Sequence, residues 1–132
     1  MERPDPQAIL DLIPFAATLG MKLLELDPAC VRGRLAWTHE RTTTAELMHG
    51  GAIMALADTC GGVCAFLNLP PGAQGTATIE SKTNFVRAIQ GGAATATTRP
   101  LHRGRTLIVL ETEVVRDDGK LAAKVTQTQV FS

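Results

Sequence analysis

The chain has 132 residues, 13 basic and 13 acidic side chains and 45% hydrophobic residues, so it is expected to form a single domain over residues 1–132. A domain of this size buries about two thirds of its unfolded surface, so it needs neither disulfides nor a structural metal to fold. A net charge of zero and a 4% aromatic content argue against a nucleic-acid partner.

The three cysteines, Cys30, Cys60 and Cys64, show none of the paired spacing of zinc sites or disulfide frameworks, and their odd number indicates a reducing compartment. Residues 1–10 contain acids and prolines where a signal peptide would have an apolar core. No run approaches the roughly 18 uninterrupted apolar residues of a membrane span. The sequence therefore predicts a cytoplasmic protein with no metal site and no membrane partner.

The first third of the chain predicts a short helix, a hairpin and a loop. Apolar residues recur with helical spacing through residues 7–19, and Pro14 interrupts or bends that helix. Residues 21–27 and 31–38 flank a Pro-Ala turn and have the composition of paired strands. The polar, Thr-rich segment 39–48 is predicted as a loop.

Residues 50–67 predict the one long helix, because they are rich in Ala, Leu and Met, contain no proline and end before Pro70. This segment is apolar nearly all round, which indicates a buried core helix. Gly61 and Gly62 each cost roughly 1 kcal/mol against alanine inside a helix, so another group is expected to approach the backbone closely there.

The rest of the chain predicts four strands, 76–88, 93–102, 106–116 and 121–131, joined as an antiparallel meander by short glycine-containing turns. The predicted class is α+β: a six-stranded antiparallel sheet wrapped around one long central helix, with a short N-terminal helix. Strict alternation along strand 76–88 predicts two faces. One face would carry Thr76, Thr78, Glu80, Lys82 and Asn84, and the other Ala77, Ile79, Ser81, Thr83 and Phe85.

Asp58 is a carboxylate in the middle of this otherwise apolar helix. Burial of an unpaired carboxylate costs several kcal/mol, so Asp58 needs a partner, a protonated state or a water-accessible pocket. A purely structural interpretation is a carboxylate at an interface, or one bonded to a strand residue such as Asn84 or Thr83.

Gly50 and Gly51 open the helix, either to let the chain turn sharply or to point free N–H groups at an oxyanion. Gly51 and Asp58 share a helix face but lie about 10 Å apart along the axis, so one carbonyl cannot contact both. If both residues serve one reaction, the helix start of one subunit must meet Asp58 of another across a two-fold interface.

The segments HGGAIMALADTCGG, TIESKTNFVRA and RPLHRGRTLIVLETEVVRDDGK resemble the hotdog-fold acyl-CoA thioesterases of the phenylacetic-acid-degradation, or PaaI-like, type. The resemblance implies that Asp58 is the nucleophile or general base and that Gly50 donates the oxyanion N–H, with His49 and Gly51 shaping the pocket. It implies no cofactor, because CoA is part of the substrate. It also implies a homo-oligomer, a dimer at least and a tetramer built from two dimers.

Three positions depart from the pattern of that family. Thr43 stands where relatives usually carry an Asn or Gln that polarises the thioester, a role that could pass to Thr42, Thr44 or water. Gly62 stands where related enzymes often carry the Ser or Thr that holds the attacking water. The family motif FxRP lacks its proline at residues 85–88.

The turn at residues 102–106 combines cationic side chains with a glycine, a composition suited to the phosphates of CoA and also common in exposed turns. The resemblance places CoA near this turn. Cys60 and Cys64 are interpreted as core residues that form no metal site with His49. The predicted CoA-binding residues are Asn84, Arg87, Arg103, Gly104, Arg105 and Thr106.

The sequence leaves alternatives to thioester hydrolysis. Hotdog hydratases fit poorly, because no D-x-x-x-x-H arrangement opens the helix. A non-catalytic acyl-CoA-binding or assembly protein of the same fold is compatible with Thr43 and Gly62. The substrate could be an aryl, phenylacetyl or medium-chain acyl-CoA, or an acyl-carrier-protein thioester. The candidate pocket-lining residues are Met54, Leu56, Ala57 and Phe66.

Overall fold

The computed structural model describes residues 4–132. Residues 1–3, which belong to the predicted domain and to the segment considered as a signal peptide, lie outside the described part. The predicted α+β class is confirmed: one six-stranded antiparallel sheet wraps around a long helix. The elements are α1 (Pro6–Asp11), α2 (Pro14–Leu19), β1 (Lys22–Asp27), β2 (Cys30–Ala36), α3 (Gly50–Leu67), β3 (Thr76–Phe85), β4 (Ala93–Arg103), β5 (Leu107–Val115) and β6 (Leu121–Phe131).

The N-terminal segment forms two short helices, divided where the sequence predicts an interruption. Pro6 and Pro14 each occupy the first turn of a helix, where the missing N–H of proline costs nothing. Gly20 ends α2 with a φ of 82°, a left-handed conformation that glycine adopts without steric cost.

The strand order is β1-β2-β4-β5-β6-β3. Strands β4, β5 and β6 form the predicted meander, but β3 pairs with β6 at the sheet edge, so the prediction that β3 and β4 are neighbours is wrong. Because β3 ends at Phe85, residues 86–92 separate it from β4, a connection longer than the two to five or so residues of a hairpin loop. Ile89 in this connection is 1% exposed, and its carbonyl accepts from the Met48 N–H at 2.8 Å.

A β-bulge at Ile79 changes which side chains of β3 face the helix. Thr78 lies opposite Gln129, whereas Glu80 lies opposite Thr128, so one residue of β3 has no partner. An extra residue reverses the period-two alternation that follows it, and the predicted grouping of faces is therefore wrong beyond residue 79. By their pairing with inward-facing residues of β6, the inner face carries Thr76, Thr78, Ser81, Thr83 and Phe85, and the outer face carries Glu80, Lys82 and Asn84.

Helix α3 has the predicted bounds and packs on the concave face of the sheet. Its close approach to β2 requires Gly33, where a Cβ would lie 2.6 Å from Cys60 Sγ. At 18 residues and a mean hydropathy of 1.5, α3 is long and apolar enough to cross a membrane by length and composition alone. Its packing against the sheet accounts for that composition.

One stripe of α3 is nevertheless exposed, contrary to the prediction of a helix buried all round. Met54, Asp58 and Phe66 recur at four- or eight-residue spacing along this stripe and all lie in the exposed class. The whole of the neighbouring edge strand β3 is also exposed or partly exposed. An edge of the core is thus left uncovered along α3 and β3.

Candidate active site

The start of α3 leaves one backbone donor free. His49 caps the helix, and its Nδ1 accepts from the Gly51 N–H at 2.7 Å. The N–H groups of Ala52 and Ile53 both donate to the His49 carbonyl. Within residues 4–132 the Gly50 N–H has no such acceptor. Of the donors predicted at this helix start, Gly50 alone is available to a ligand.

The two glycines permit close approach rather than a sharp turn, because neither has a positive φ. A Cβ at Gly50 would lie 3.1 Å from the Phe85 ring, and a Cβ at Gly51 would lie 2.8 Å from His49 Nδ1. His49 therefore acts as the helix cap in this structure. Since Nδ1 accepts, the neutral ring carries its proton on Nε2.

Gly50 lines a depression of about 340 Å³ that we call the Gly50 cavity. Thr43, predicted as a site residue, lines it with Gly50, although its side chain is exposed on the loop before α3. The Thr43 N–H donates to the Leu47 carbonyl at 2.7 Å, which closes that loop. The lining is completed by Leu47, Met48, Ile53, Phe85, Val86, Arg87, Ala88 and Ile89.

Asp58 lies two turns further along α3, is exposed, and accepts from the Thr78 hydroxyl at 2.8 Å through Oδ1. The structural interpretation correctly anticipated a partner on a strand but named the wrong residues. Asn84 lies on the outer face of the sheet, and Thr83 Oγ1 is buried with no partner among the described residues. Sequence reasoning missed Thr78 because the partner depends on how β3 lies against α3.

A second depression, the Asp58 cavity, has a volume of about 420 Å³. Helix α1 and the segment after it supply apolar residues to one wall, which sequence reasoning did not assign to the site. Of the predicted lining residues, Phe66 lies here, while Leu56 and Ala57 are buried in the core. The Asp58 cavity is lined by Ile9, Leu12, Ile13, Asp58, Gly62, Val63, Phe66, Gln74, Gly75, Thr76, Ala77, Thr78 and Gln129.

The two cavities share no lining residue, so a single chain keeps Gly50 and Asp58 apart. Phe85, at the end of β3, lies beside Gly50, whereas Thr78, near the start of β3, lies beside Asp58. The separation predicted from the helical spacing is therefore present in the structure.

The predicted CoA-binding residues fall in three places. Arg87 lines the Gly50 cavity and donates to the Leu121 carbonyl at 2.8 Å. Asn84 lies on the outer face of the sheet, opposite Lys124. Residues 103–106 form the turn between β4 and β5, where a Cβ at Gly104 would lie 2.7 Å from the Leu107 carbonyl oxygen. Neither Asn84 nor this turn lines either cavity.

The turn at residues 103–106 is anchored at its ends. The Arg103 guanidinium lies 3.4 Å from the Pro28 carbonyl, and the Thr106 carbonyl accepts from the Phe131 N–H at 2.9 Å. The side chains of Arg105 and Thr106 are exposed. The turn is thus a fixed loop with cationic groups available to solvent.

The cysteines contribute to packing. Cys60 and Cys64 have no exposed surface, and burial raises the pKa of each thiol to about 12. Among residues 4–132 no group of three or more His, Cys, Asp or Glu side chains is placed to hold a metal.

Comparisons with known proteins give the family context. The family model described as the thioesterase superfamily matches residues 45–123. A Deinococcus radiodurans relative, provisionally named an esterase, is 37% identical over 120 residues, which are 91% of this chain and 74% of that protein. The 1,4-dihydroxy-2-naphthoyl-CoA hydrolase of Escherichia coli is 33% identical over 75 residues, 57% of this chain and 54% of that enzyme.

A solved structure shows the same fold. The Escherichia coli PaaI protein, from the phenylacetic acid degradation operon, superposes with a TM-score of 0.86 at 20% identity. The match covers 96% of this chain and 89% of that chain. The hotdog fold predicted from the sequence is confirmed.

Proposed function

Since this chain belongs to the thioesterase superfamily and is a hydrolase acting on thioester bonds, we propose that it cleaves an acyl-CoA to the free acid and CoA. Asp58 is the nucleophile or general base, and the Gly50 N–H stabilises the oxyanion. The observation that carries the proposal is the exposed Asp58 carboxylate in an apolar-walled cavity, held by the Thr78 hydroxyl at 2.8 Å.

The site is composite in this proposal, built from the Gly50 cavity of one protomer and the Asp58 cavity of a second copy. Edge strand β3 offers its unpaired backbone groups to a second β3, and an antiparallel pairing would bring opposite ends of the two strands together. Since Gly50 lies beside one end of β3 and Asp58 near the other, a two-fold axis through this edge would bring Gly50 of one protomer close to Asp58 of the other.

Exposed apolar side chains on both elements support this interface. In a monomer these apolar side chains stay exposed to water, whereas pairing of two copies along β3 buries them. A dimer is therefore the minimum functional unit, and a tetramer of two dimers is the expected assembly. The exposed large apolar residues of α3 and β3 are Met54, Phe66, Ile79 and Phe85, and the exposed Val86 directly follows β3.

Two chemical routes fit this geometry. As a general base, Asp58 removes a proton from water while the water oxygen bonds to the carbonyl carbon; the C–S bond then breaks, and the thiolate takes the proton. As a nucleophile, a carboxylate oxygen of Asp58 displaces the thiolate to form an anhydride, which water hydrolyses. In both routes the carbonyl oxygen becomes negative beside the Gly50 N–H, an interaction worth about 3 kcal/mol of barrier.

We propose that the Asp58 cavity binds the acyl group of the substrate and that this group is aryl or medium-chain. Its volume of about 420 Å³ and the side chains of Leu12, Val63 and Phe66 suit an apolar group of moderate size. Because the similar Escherichia coli protein is named a 1,4-dihydroxy-2-naphthoyl-CoA hydrolase, we favour an aromatic acyl group.

The cationic residues supply the proposed recognition of CoA. Arg87 lines the Gly50 cavity, and Arg103 and Arg105 present guanidinium groups from the β4–β5 turn. Guanidinium groups form charge-assisted hydrogen bonds with phosphates. Asn84, Gly104 and Thr106 complete the proposed CoA-binding set. We expect the protein to act in the cytoplasm.

Release of free thiol from a panel of thioesters tests the proposal. The panel contains phenylacetyl-, benzoyl-, short-chain and long-chain CoA, and one acyl-carrier-protein thioester. Asp58→Asn is compared with Asp11→Asn, an exposed acid in α1 whose partner is Gln7. We expect turnover of one CoA class that is lost in Asp58→Asn and retained in Asp11→Asn.

Other outcomes contradict parts of the proposal. Turnover that survives in Asp58→Asn would remove Asp58 from the chemistry. Tight binding of CoA thioesters without turnover would favour the alternative, a non-catalytic acyl-CoA-binding protein. If the acyl-carrier-protein thioester is the one substrate of the panel that is turned over, the substrate is a carrier-protein thioester and not an acyl-CoA.

A further inference from the structure

Two glutamine side chains of β6 are buried beneath Asp58. Gln127 and Gln129 are each 1% exposed, whereas Ala123 and Val125 hold the preceding inward-facing positions of the strand. Buried amides are costly unless their donors and acceptors are bonded. The bonds of this pair run from the backbone of α3 to the Asp58 carboxylate.

The backbone fixes the direction of these bonds. The Ala57 carbonyl can only accept, so Gln127 presents Nε2 to it, at 3.3 Å. Gln127 Oε1 then faces Gln129, whose Nε2 donates to it at 2.8 Å. The second hydrogen of Gln129 Nε2 goes to Thr78 Oγ1.

The Thr78 hydroxyl has a single hydrogen. Because its oxygen accepts from Gln129, that hydrogen is directed to Asp58 Oδ1 at 2.8 Å. A flipped Gln129 amide would set its oxygen against Gln127 Oε1, while the native orientation also lets Oε1 accept from the Thr76 hydroxyl at 3.1 Å. The donor aimed at Asp58 is therefore set by a chain of four groups that starts at a backbone carbonyl.

We propose that Gln129, oriented by Gln127, is a positioning residue for the reaction: it acts through Thr78 to hold the Asp58 carboxylate in one orientation. This inference rests on the proposed role of Asp58. Without Gln129, the Thr78 hydroxyl is free to rotate away and the carboxylate loses its fixed donor. Gln129 borders the Asp58 cavity but is only 1% exposed, so its loss affects the chemical step more than substrate binding.

Steady-state kinetics of Gln129→Met, Thr78→Val and the double variant test the inference on the best CoA thioester of the panel. We expect Gln129→Met to lower kcat at least tenfold and to leave KM within twofold. If Gln129 acts only through Thr78, the double variant has the kcat of Thr78→Val alone, because the two losses are not additive. Thr78→Ser keeps the hydroxyl and restores kcat.

Thr98→Val is the matched control for stability. Its hydroxyl is fully buried on the same sheet and pairs with Thr112 at 2.6 Å, away from both cavities. This variant should lower Tm while leaving kcat unchanged. If Gln129→Met fails to fold, Gln127→Met takes its place in the comparison with Thr78→Val and the double variant. The expected loss of kcat for Gln127→Met is smaller, three- to tenfold.

The outcomes separate this inference from the proposed function. The positioning role is overturned if Gln129→Met has the wild-type kcat. It is also overturned if Gln129→Met lowers kcat by the same factor in the wild-type and Thr78→Val backgrounds. In both cases Asp58→Asn remains inactive and the proposed function stands. An active Asp58→Asn overturns the proposed function, and the positioning role falls with it.

Discussion

The side-chain amide of Gln127 occupies the space beside Gly61 where any other residue would place its Cβ. At Gly62, the next residue of α3, the same position is open, with nothing within 4 Å. Adjacent glycines of one helix therefore have different structural roles. Gly61 admits the buried amide network, and Gly62 borders the Asp58 cavity.

This difference predicts opposite effects of one substitution. Gly61→Ala should destabilise the fold by about 1–3 kcal/mol, because overlap with Gln127 outweighs the gain in helix propensity. Gly62→Ala should stabilise it by up to about 1 kcal/mol, since alanine suits a helix interior better. Urea denaturation of both variants checks this, and equal effects at the two positions would contradict the packing described for Gly61.

The sequence shows two adjacent glycines inside a helix, and it correctly indicates a close approach to the backbone there. It does not show that the approaching group comes from β6, nor that only Gly61 receives it. The bounds of α3 were predictable because its composition, the glycines at its start and the prolines after its end agree. The partner of Asp58 was not, because the bulge at Ile79 and the position of β3 beside β6 depend on long-range pairing.

Gly50→Pro tests the oxyanion donor directly. Gly50 is the first residue of α3, where proline is well tolerated, and His49 before it has φ −61° and ψ 132°, a conformation allowed before proline. The substitution removes the free N–H and should lower kcat by about 10²–10³-fold. Gly50→Ala is its control, because alanine also crowds Phe85 but keeps the N–H. A kcat no lower for Gly50→Pro than for Gly50→Ala would rule out the donor.

The loop that carries Thr43 contains a strained turn. Ala45 and Glu46 are the non-glycine residues of the described range with positive φ, at 60° and 59°. Alanine is disfavoured in this left-handed region, whereas asparagine tolerates it. Ala45→Asn should therefore raise the free energy of unfolding by about 0.5–1 kcal/mol. Ala73→Asn, at a loop residue whose own φ is not positive, is the control, and equal stability of both variants would count against strain at Ala45.

Cysteine labelling tests the core. Burial raises the pKa of Cys60 and Cys64 to about 12, so at pH 8 both thiols stay almost entirely protonated and the reactive thiolate is scarce. Burial and the nearby Glu25 carboxylate also raise the pKa of the partly exposed Cys30. Raised values mean slow alkylation that accelerates with pH.

We expect iodoacetamide at pH 8 to modify native protein slowly and at Cys30 first, and to modify all three cysteines in urea. Intact-protein mass spectrometry, with Cys30→Ser as the control, measures this. Labelling of Cys60 or Cys64 as fast in native protein as in urea would contradict their place in the core.

The most direct test of the composite site is complementation between two inactive variants. Gly50→Pro and Asp58→Asn are co-expressed with different affinity tags, and the hybrid dimer is isolated by two successive purifications. Each hybrid contains one site with both an intact Gly50 and an intact Asp58 if the residues come from different protomers. We expect about half of the wild-type kcat per dimer in the hybrid and almost none in either parent. A hybrid as inactive as its parents would show that Gly50 and Asp58 do not meet across an interface.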